Sequence, residues 1–119
     1  MFTYRDLEAW QQGMNLVDRI YRVTATFPRS EMYGLTSQIR RASVSIPSNL
    51  AEGNCRRSTK VFLNHVDIAL GSQGELETCV EASGRLSFLP ASDKDALLAD
   101  VASVGRLLNG LYRSLQAKV

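Results

Sequence analysis

Histidine occurs once, at His65, and cysteine twice, at Cys55 and Cys79, in a chain of 119 residues. Protein zinc sites normally take three or four side-chain ligands, so a chain this poor in both residues does not build one alone. The cysteines stand in no Cys-x-x-Cys or metal-finger spacing and read as free, reduced, partly buried thiols. Long apolar runs are missing as well: none approaches the roughly 18 residues of a membrane span. The chain opens Met1-Phe2-Thr3-Tyr4-Arg5-Asp6, charged almost at once and without the apolar stretch of a signal peptide. A cytoplasmic protein with no membrane partner is expected.

Catalytic groups are equally scarce. His65 has Asp67 two residues on, a spacing that a helix places on different faces. Glu77 and Glu81 are adjacent on a helix face, but Arg85 follows one turn later and can offset Glu81, which describes a solvated face better than an acid-base pair. Gly71-Ser72-Gln73-Gly74 lies inside a helical pattern and lacks the lysine of a phosphate-binding loop. No catalytic residue, no metal and no cofactor is therefore expected, and the chain reads as a non-enzyme.

What is present is helical periodicity, with no strand-like alternation to compete. Apolar residues make up 45% and charged residues 22%, a balance suited to one globular domain over residues 1–119. Leu7, Trp10, Met14, Val17, Tyr21 and Thr24 recur at helical spacing, with Leu16, Ile20 and Phe27 widening the stripe, and predict a helix from about Asp6 to Phe27. Pro28 ends it. Leu35, Ile39, Ala42, Ile46 and Leu50 predict a second helix from about Leu35 to Gly53. Pro47 lies inside it, deprives the Ser43 carbonyl of its donor, and predicts a kink or break eased by Ser45, Ser48 or Asn49.

Ser58 is the expected N-cap of a third helix reaching about Ser87, with Val61, Phe62, Val66, Ala69, Leu70, Leu76 and Val80 on its apolar face. Its small residues Ala69, Gly71, Ser72 and Gly74 read as a tight contact with a neighbouring helix. Ser92 and Asp95 suggest the cap of a fourth helix, carried to the C-terminus by Leu97, Val101, Val104, Leu108, Leu111 and Leu115. Four helices joined by short turns pack most simply as an antiparallel up-down-up-down four-helix bundle, an all-α fold. Stripe residues in excess of one core leave room for a second apolar face toward partner subunits.

Charge is distributed unevenly although the net is only +2. Residues 28–57 hold Arg29, Arg40, Arg41, Arg56 and Arg57 against Glu31 and Glu52, whereas residues 58–90 hold Lys60 and Arg85 against Asp67, Glu75, Glu77 and Glu81. Arginine's planar fork suits phosphate, and a patch repeated around an oligomer multiplies its field. The same arginines can instead be solvated or pair with Glu52, Glu75 and Glu77. Ala42 and Ser45 are expected opposite Ala69 and Ser72, with Glu75 near Gln38 and Arg41. In that arrangement Arg41 is structural, and Arg40, Arg56 and Arg57 are freer to meet phosphate.

The stretch Gln38-Ile39-Arg40-Arg41-Ala42-Ser43-Val44-Ser45-Ile46-Pro47-Ser48-Asn49-Leu50-Ala51-Glu52-Gly53 resembles the signature of four-helix bundle proteins related to the rRNA intervening-sequence-encoded proteins. Phe2 with Leu7 and Trp10, the Phe27-Pro28 to Tyr33-Gly34-Leu35 turn, and Gly71-Ser72 with Glu75-Leu76-Glu77 extend the resemblance over nearly the whole chain. The resemblance implies a helical bundle that assembles as a ring, typically a pentamer. Some members of that family are encoded inside insertions in large-subunit rRNA genes. Related accessory proteins of diversity-generating retroelements are basic rings that bind nucleic acid and a reverse transcriptase. The expectation is thus a homo-oligomer binding RNA or DNA through Arg40, Arg41, Arg56, Arg57 and Lys60. The alternative is a scaffold whose partner is another protein.

Overall fold

The computed structural model describes residues 1–119 as four α-helices and no strand: α1 (Glu8–Thr24), α2 (Leu35–Cys55), α3 (Thr59–Arg85) and α4 (Ala91–Gln116). The body measures 44 × 23 × 22 Å, as expected for helices stacked side by side. No helix is long and apolar enough to cross a membrane.

Local chemistry sets most of the boundaries. Thr3 and Asp6 close a capping box around a single 3-10 turn at Tyr4–Asp6: the Thr3 N–H donates to the Asp6 carboxylate and the Arg5 N–H to the Thr3 hydroxyl. Helix α1 therefore starts two residues later than the apolar spacing suggests. It also ends three residues earlier, because Phe27 turns into the core beyond it. Ser58 caps α3 as expected, its hydroxyl accepting from the Val61 N–H at 3.2 Å. Ser92 does not cap α4. Pro90 occupies that position, its fixed φ of −58° and missing N–H costing nothing at a helix start, and its carbonyl accepts from the Lys94 N–H at 3.0 Å. At the end of α3, Ser87 takes the left-handed conformation (φ 64°) while the Phe88 N–H returns to the Ser83 carbonyl and the Ser87 N–H to the Gly84 carbonyl.

Consecutive helices touch in opposite chain order. Gly13 and Thr24 of α1 lie against Pro47 and Arg40 of α2, and Gln38, Ser45 and Asn49 of α2 meet Glu75, Ser72 and His65 of α3. On the other side, Gln73 and Gly84 of α3 meet Val101 and Lys94 of α4. Nineteen buried apolar residues, with Leu16, Ile20, Ile39, Ile46, Leu50, Leu76 and Leu108 among the most enclosed, form one core.

One expectation is narrowed here and two are corrected. Of the kink or break expected at Pro47, the break is ruled out, because α2 continues to Cys55. The proline ring is buried opposite Gly13, and the Asn49 side chain donates to the Ser45 carbonyl at 2.9 Å. The buried face of α1 is Ala9, Gly13, Leu16, Ile20 and Thr24, so Met14 and Tyr21 are exposed and Trp10 and Val17 half-buried. Gly13 faces the Pro47 ring, where a Cβ would already be in van der Waals contact, and the Met14 and Tyr21 side chains lie toward solvent. Finally, Gly71 and Gly74 are not at a helix contact: a Cβ on either would find nothing within 4 Å. The close approach between α2 and α3 occurs instead at Gly53, where a Cβ would sit 2.5 Å from that of His65.

Candidate nucleic-acid interface

The polar seam between α2 and α3 accounts for several groups that would otherwise invite a functional reading. Ser45 and Ser72 share a hydroxyl–hydroxyl hydrogen bond of 2.8 Å, as the small residues on both helices suggest. One turn on, His65 Nδ1 lies 3.0 Å from Asn49 Oδ1, so the single imidazole is engaged with α2. Its other polar neighbour, Glu52, is 4.0 Å away. Cys79 is buried and Cys55 exposed. Burial, reinforced by the charge of Glu75, holds the Cys79 thiol above its ordinary pKa.

The five cations separate into distinct environments. Arg40 is half-buried: its Nε donates to the Thr24 hydroxyl at 2.9 Å, and its guanidinium lies 4.6 Å from the centre of the Tyr21 ring. Thr24 in turn donates to the Ile20 carbonyl at 2.7 Å, which fixes the acceptor. Arg41, by contrast, is exposed and enters no ion pair. The expected Arg41–Glu75 pairing is absent. Glu75 is exposed and accepts only from Gln38 Nε2, at 3.4 Å. The two neighbours therefore exchange the roles expected for them, because residues 100° apart on a helix cannot both face α1, and Thr24 and Tyr21 draw Arg40.

Arg56 pairs with Glu52 at 3.4 Å, one turn back, but both side chains are more than half exposed. An exposed pair of that spacing is worth about 0.3–0.5 kcal/mol, so a phosphate can displace it. Arg57 and Lys60 are exposed and without ion pairs. Arg56, Arg57 and Lys60 thus gather around the α2–α3 turn. Arg41 stands roughly 22 Å away along α2, at 1.5 Å per residue.

The opposite end of the bundle carries a feature that the residue pattern did not single out. Between the α1–α2 connection and the start of α2 lies a cleft of about 160 Å³, lined among others by Thr24, Phe27, Arg29, Thr36 and Arg40. Arg29 enters the sequence pattern only through the charge balance of residues 28–57, and Thr36 carries no signal in it. The available signal was a helix opening at Leu35 with no Ser, Thr, Asp or Asn in front of it.

An all-helical, four-helix bundle with a basic turn at one end is the class these features define. The sequence matches the family model of the 23S rRNA-intervening sequence protein over residues 5–110, and the chain belongs to that family. Among solved structures it is similar to a protein with unknown function from the S23 ribosomal protein family of Bacteroides thetaiotaomicron. The two are 21% identical, with a TM-score of 0.78 over 87% of this chain and 97% of that one. At that identity the likeness speaks for the fold. Comparison with curated proteins gives no match.

Proposed function

We propose that this protein is a non-enzymatic, ring-forming homo-oligomer that binds RNA or DNA along a surface made by Arg41, Arg56, Arg57 and Lys60. The observation that carries this reading is that three of these cations are exposed and have no acidic partner, while the fourth has only a solvent-screened one. Arg40 is left out of that surface, since its guanidinium is engaged with Thr24 and Tyr21. Four cations on one copy make a weak footprint, and repetition around a ring is what gives the surface strength.

The test is binding to structured and single-stranded RNA at two salt concentrations. Three phosphate contacts to a single strand predict roughly a 20-fold loss of affinity between 50 and 200 mM salt. The triple variant Arg41→Ala, Arg57→Ala, Lys60→Ala should flatten that dependence while leaving the melting temperature unchanged. Absence of binding at low salt would end the proposal.

A second reading has an observation of its own. Trp10, Met14, Val17 and Tyr21 recur at heptad spacing along the outer side of α1, with Met14 39% and Tyr21 44% exposed. An apolar seam of this spacing suits a partner helix, whether from another copy or from another protein. Native mass across a dilution series separates the two. Self-association that Met14→Glu abolishes supports assembly through this face. A chain that stays monomeric at all concentrations leaves the seam to another protein.

A further inference from the structure

We infer that the cleft at the start of α2 is a binding site for a phosphate group, distinct from the basic surface at the other end of the bundle. Two arginines, Arg29 and Arg40, line it, and no carboxylate does. Neither arginine enters an ion pair. Arg40 is held in place before any ligand arrives, by its bond to Thr24 and its stacking on Tyr21, so the remaining nitrogens of its fork are pre-organised for an external acceptor.

Thr36 supplies an independent sign. It is 6% exposed, it lines the cleft, and its hydroxyl is the one buried side-chain polar atom in the molecule with no hydrogen-bond partner. Buried hydroxyls without partners are uncommon in folded proteins and call for a missing acceptor or donor. Thr36 is also the second residue of α2, where backbone N–H groups lack intrahelical acceptors and the helix dipole is positive. No side chain caps this end from the Gly34 position. Glu31, the nearest acid in the chain, accepts the Leu35 N–H at 3.1 Å, and nothing comparable serves Thr36 or Ser37.

Two guanidinium groups, an unpaired hydroxyl and a helix start converge on one chemistry: a tetrahedral oxyanion of high charge. A phosphate monoester or free phosphate meets all of these donors at once, whereas a carboxylate has too few oxygens to do so. The monoester has two sources, the terminal phosphate of a nucleic acid or a small phosphorylated molecule.

Amide chemical shifts of the full chain, followed while inorganic phosphate replaces chloride at constant ionic strength, test the site. The expected result is a saturable shift centred on Thr36 and Ser37, weakened roughly tenfold by Arg40→Lys, which keeps the stem and the charge but loses the fork. Thr36→Val, which keeps the side-chain size, should weaken it several-fold, and Arg57→Ala should leave it untouched. A short oligonucleotide with a 5′ phosphate is then compared with its 5′-hydroxyl form. Tighter binding of the phosphorylated form at Thr36 assigns the site to a strand end. Equal binding of the two, with free phosphate still shifting Thr36, assigns it to a small phosphorylated molecule. No saturable shift at Thr36 with phosphate, or an equal shift in Arg40→Lys and Thr36→Val, overturns the site.

Discussion

Substituting Gly53 by alanine puts the α2–α3 contact to a quantitative test. The added Cβ would lie 2.5 Å from the His65 Cβ, 3.0 Å from its Cγ and 3.1 Å from the Phe62 Cδ1. Carbon atoms in contact prefer about 3.5–4.0 Å, so the overlap with His65 is roughly 1 Å. A Cβ cannot swing aside as the end of a lysine can, so α3 itself must move. Overpacking of this kind costs about 1–3 kcal/mol. A shift of α3 also strains the His65–Asn49 hydrogen bond, a further loss of about 1 kcal/mol. Against this, alanine gains up to about 1 kcal/mol of helix propensity, and less so close to the C-terminus of α2. The net expectation is a loss of about 1–3 kcal/mol. Unfolding entropy scaled to 119 residues converts this to roughly 4 °C in melting temperature per kcal/mol. Gly71→Ala is the internal control. With nothing within 4 Å of its Cβ it should gain about 1 kcal/mol, raising the melting temperature where Gly53→Ala lowers it. Thermal unfolding followed by circular dichroism at 222 nm reads both. Equal stability of the two variants would refute the claim that α2 and α3 are in close contact at Gly53 and leave Gly71 open.

Ser87→Gly should raise stability slightly, by about 0.5 kcal/mol in urea unfolding. The left-handed φ of 64° strains serine by about 1–2 kcal/mol, and glycine's greater freedom in the unfolded chain offsets part of the relief. Cys55 should react with iodoacetamide orders of magnitude faster than Cys79, as peptide mapping would show, because one thiol is exposed and the other buried. Cys79 also gives stability a sign with pH. Its folded pKa is raised, so its contribution is complete below the ordinary value of 9.0 and is lost as pH rises through the folded value. Cys79→Ser should flatten that alkaline decline.

The bundle was legible in the sequence because four amphipathic stripes of more than fifteen residues leave no competing period. Ser58 could be read as a cap from its position alone. The phase of α1 could not. The bulk of Trp10, Met14 and Tyr21 suggests a buried stripe, yet the position that faces Pro47 is Gly13, where a Cβ would already be in van der Waals contact with the proline ring. The size constraint comes from the partner helix, which one helix's own pattern does not contain. Gly71 and Gly74 misled for a related reason. A glycine in a helix interior signals close approach, but the pattern does not say to which neighbour. In one copy of the chain nothing approaches them.

The exchange between Arg40 and Arg41 shows how a site depends on that same phase. Adjacent residues on α2 diverge by 100°, so a rotation of the helix by a fraction of a turn decides which arginine stacks on Tyr21 and which meets solvent. Charge counting treats the two alike and sees one basic segment. The fold divides it in two. Arg29 and Arg40 close around a cleft at one end of a body 44 Å long, while Arg56, Arg57 and Lys60 surround the turn at the other. A fixed, half-buried guanidinium such as that of Arg40 favours recognition of a single phosphate, and exposed, unpaired cations favour a polymer whose charges can be met in many registers. The two ends therefore answer to different experiments: phosphate against chloride at constant ionic strength for the cleft, and affinity against salt for the turn.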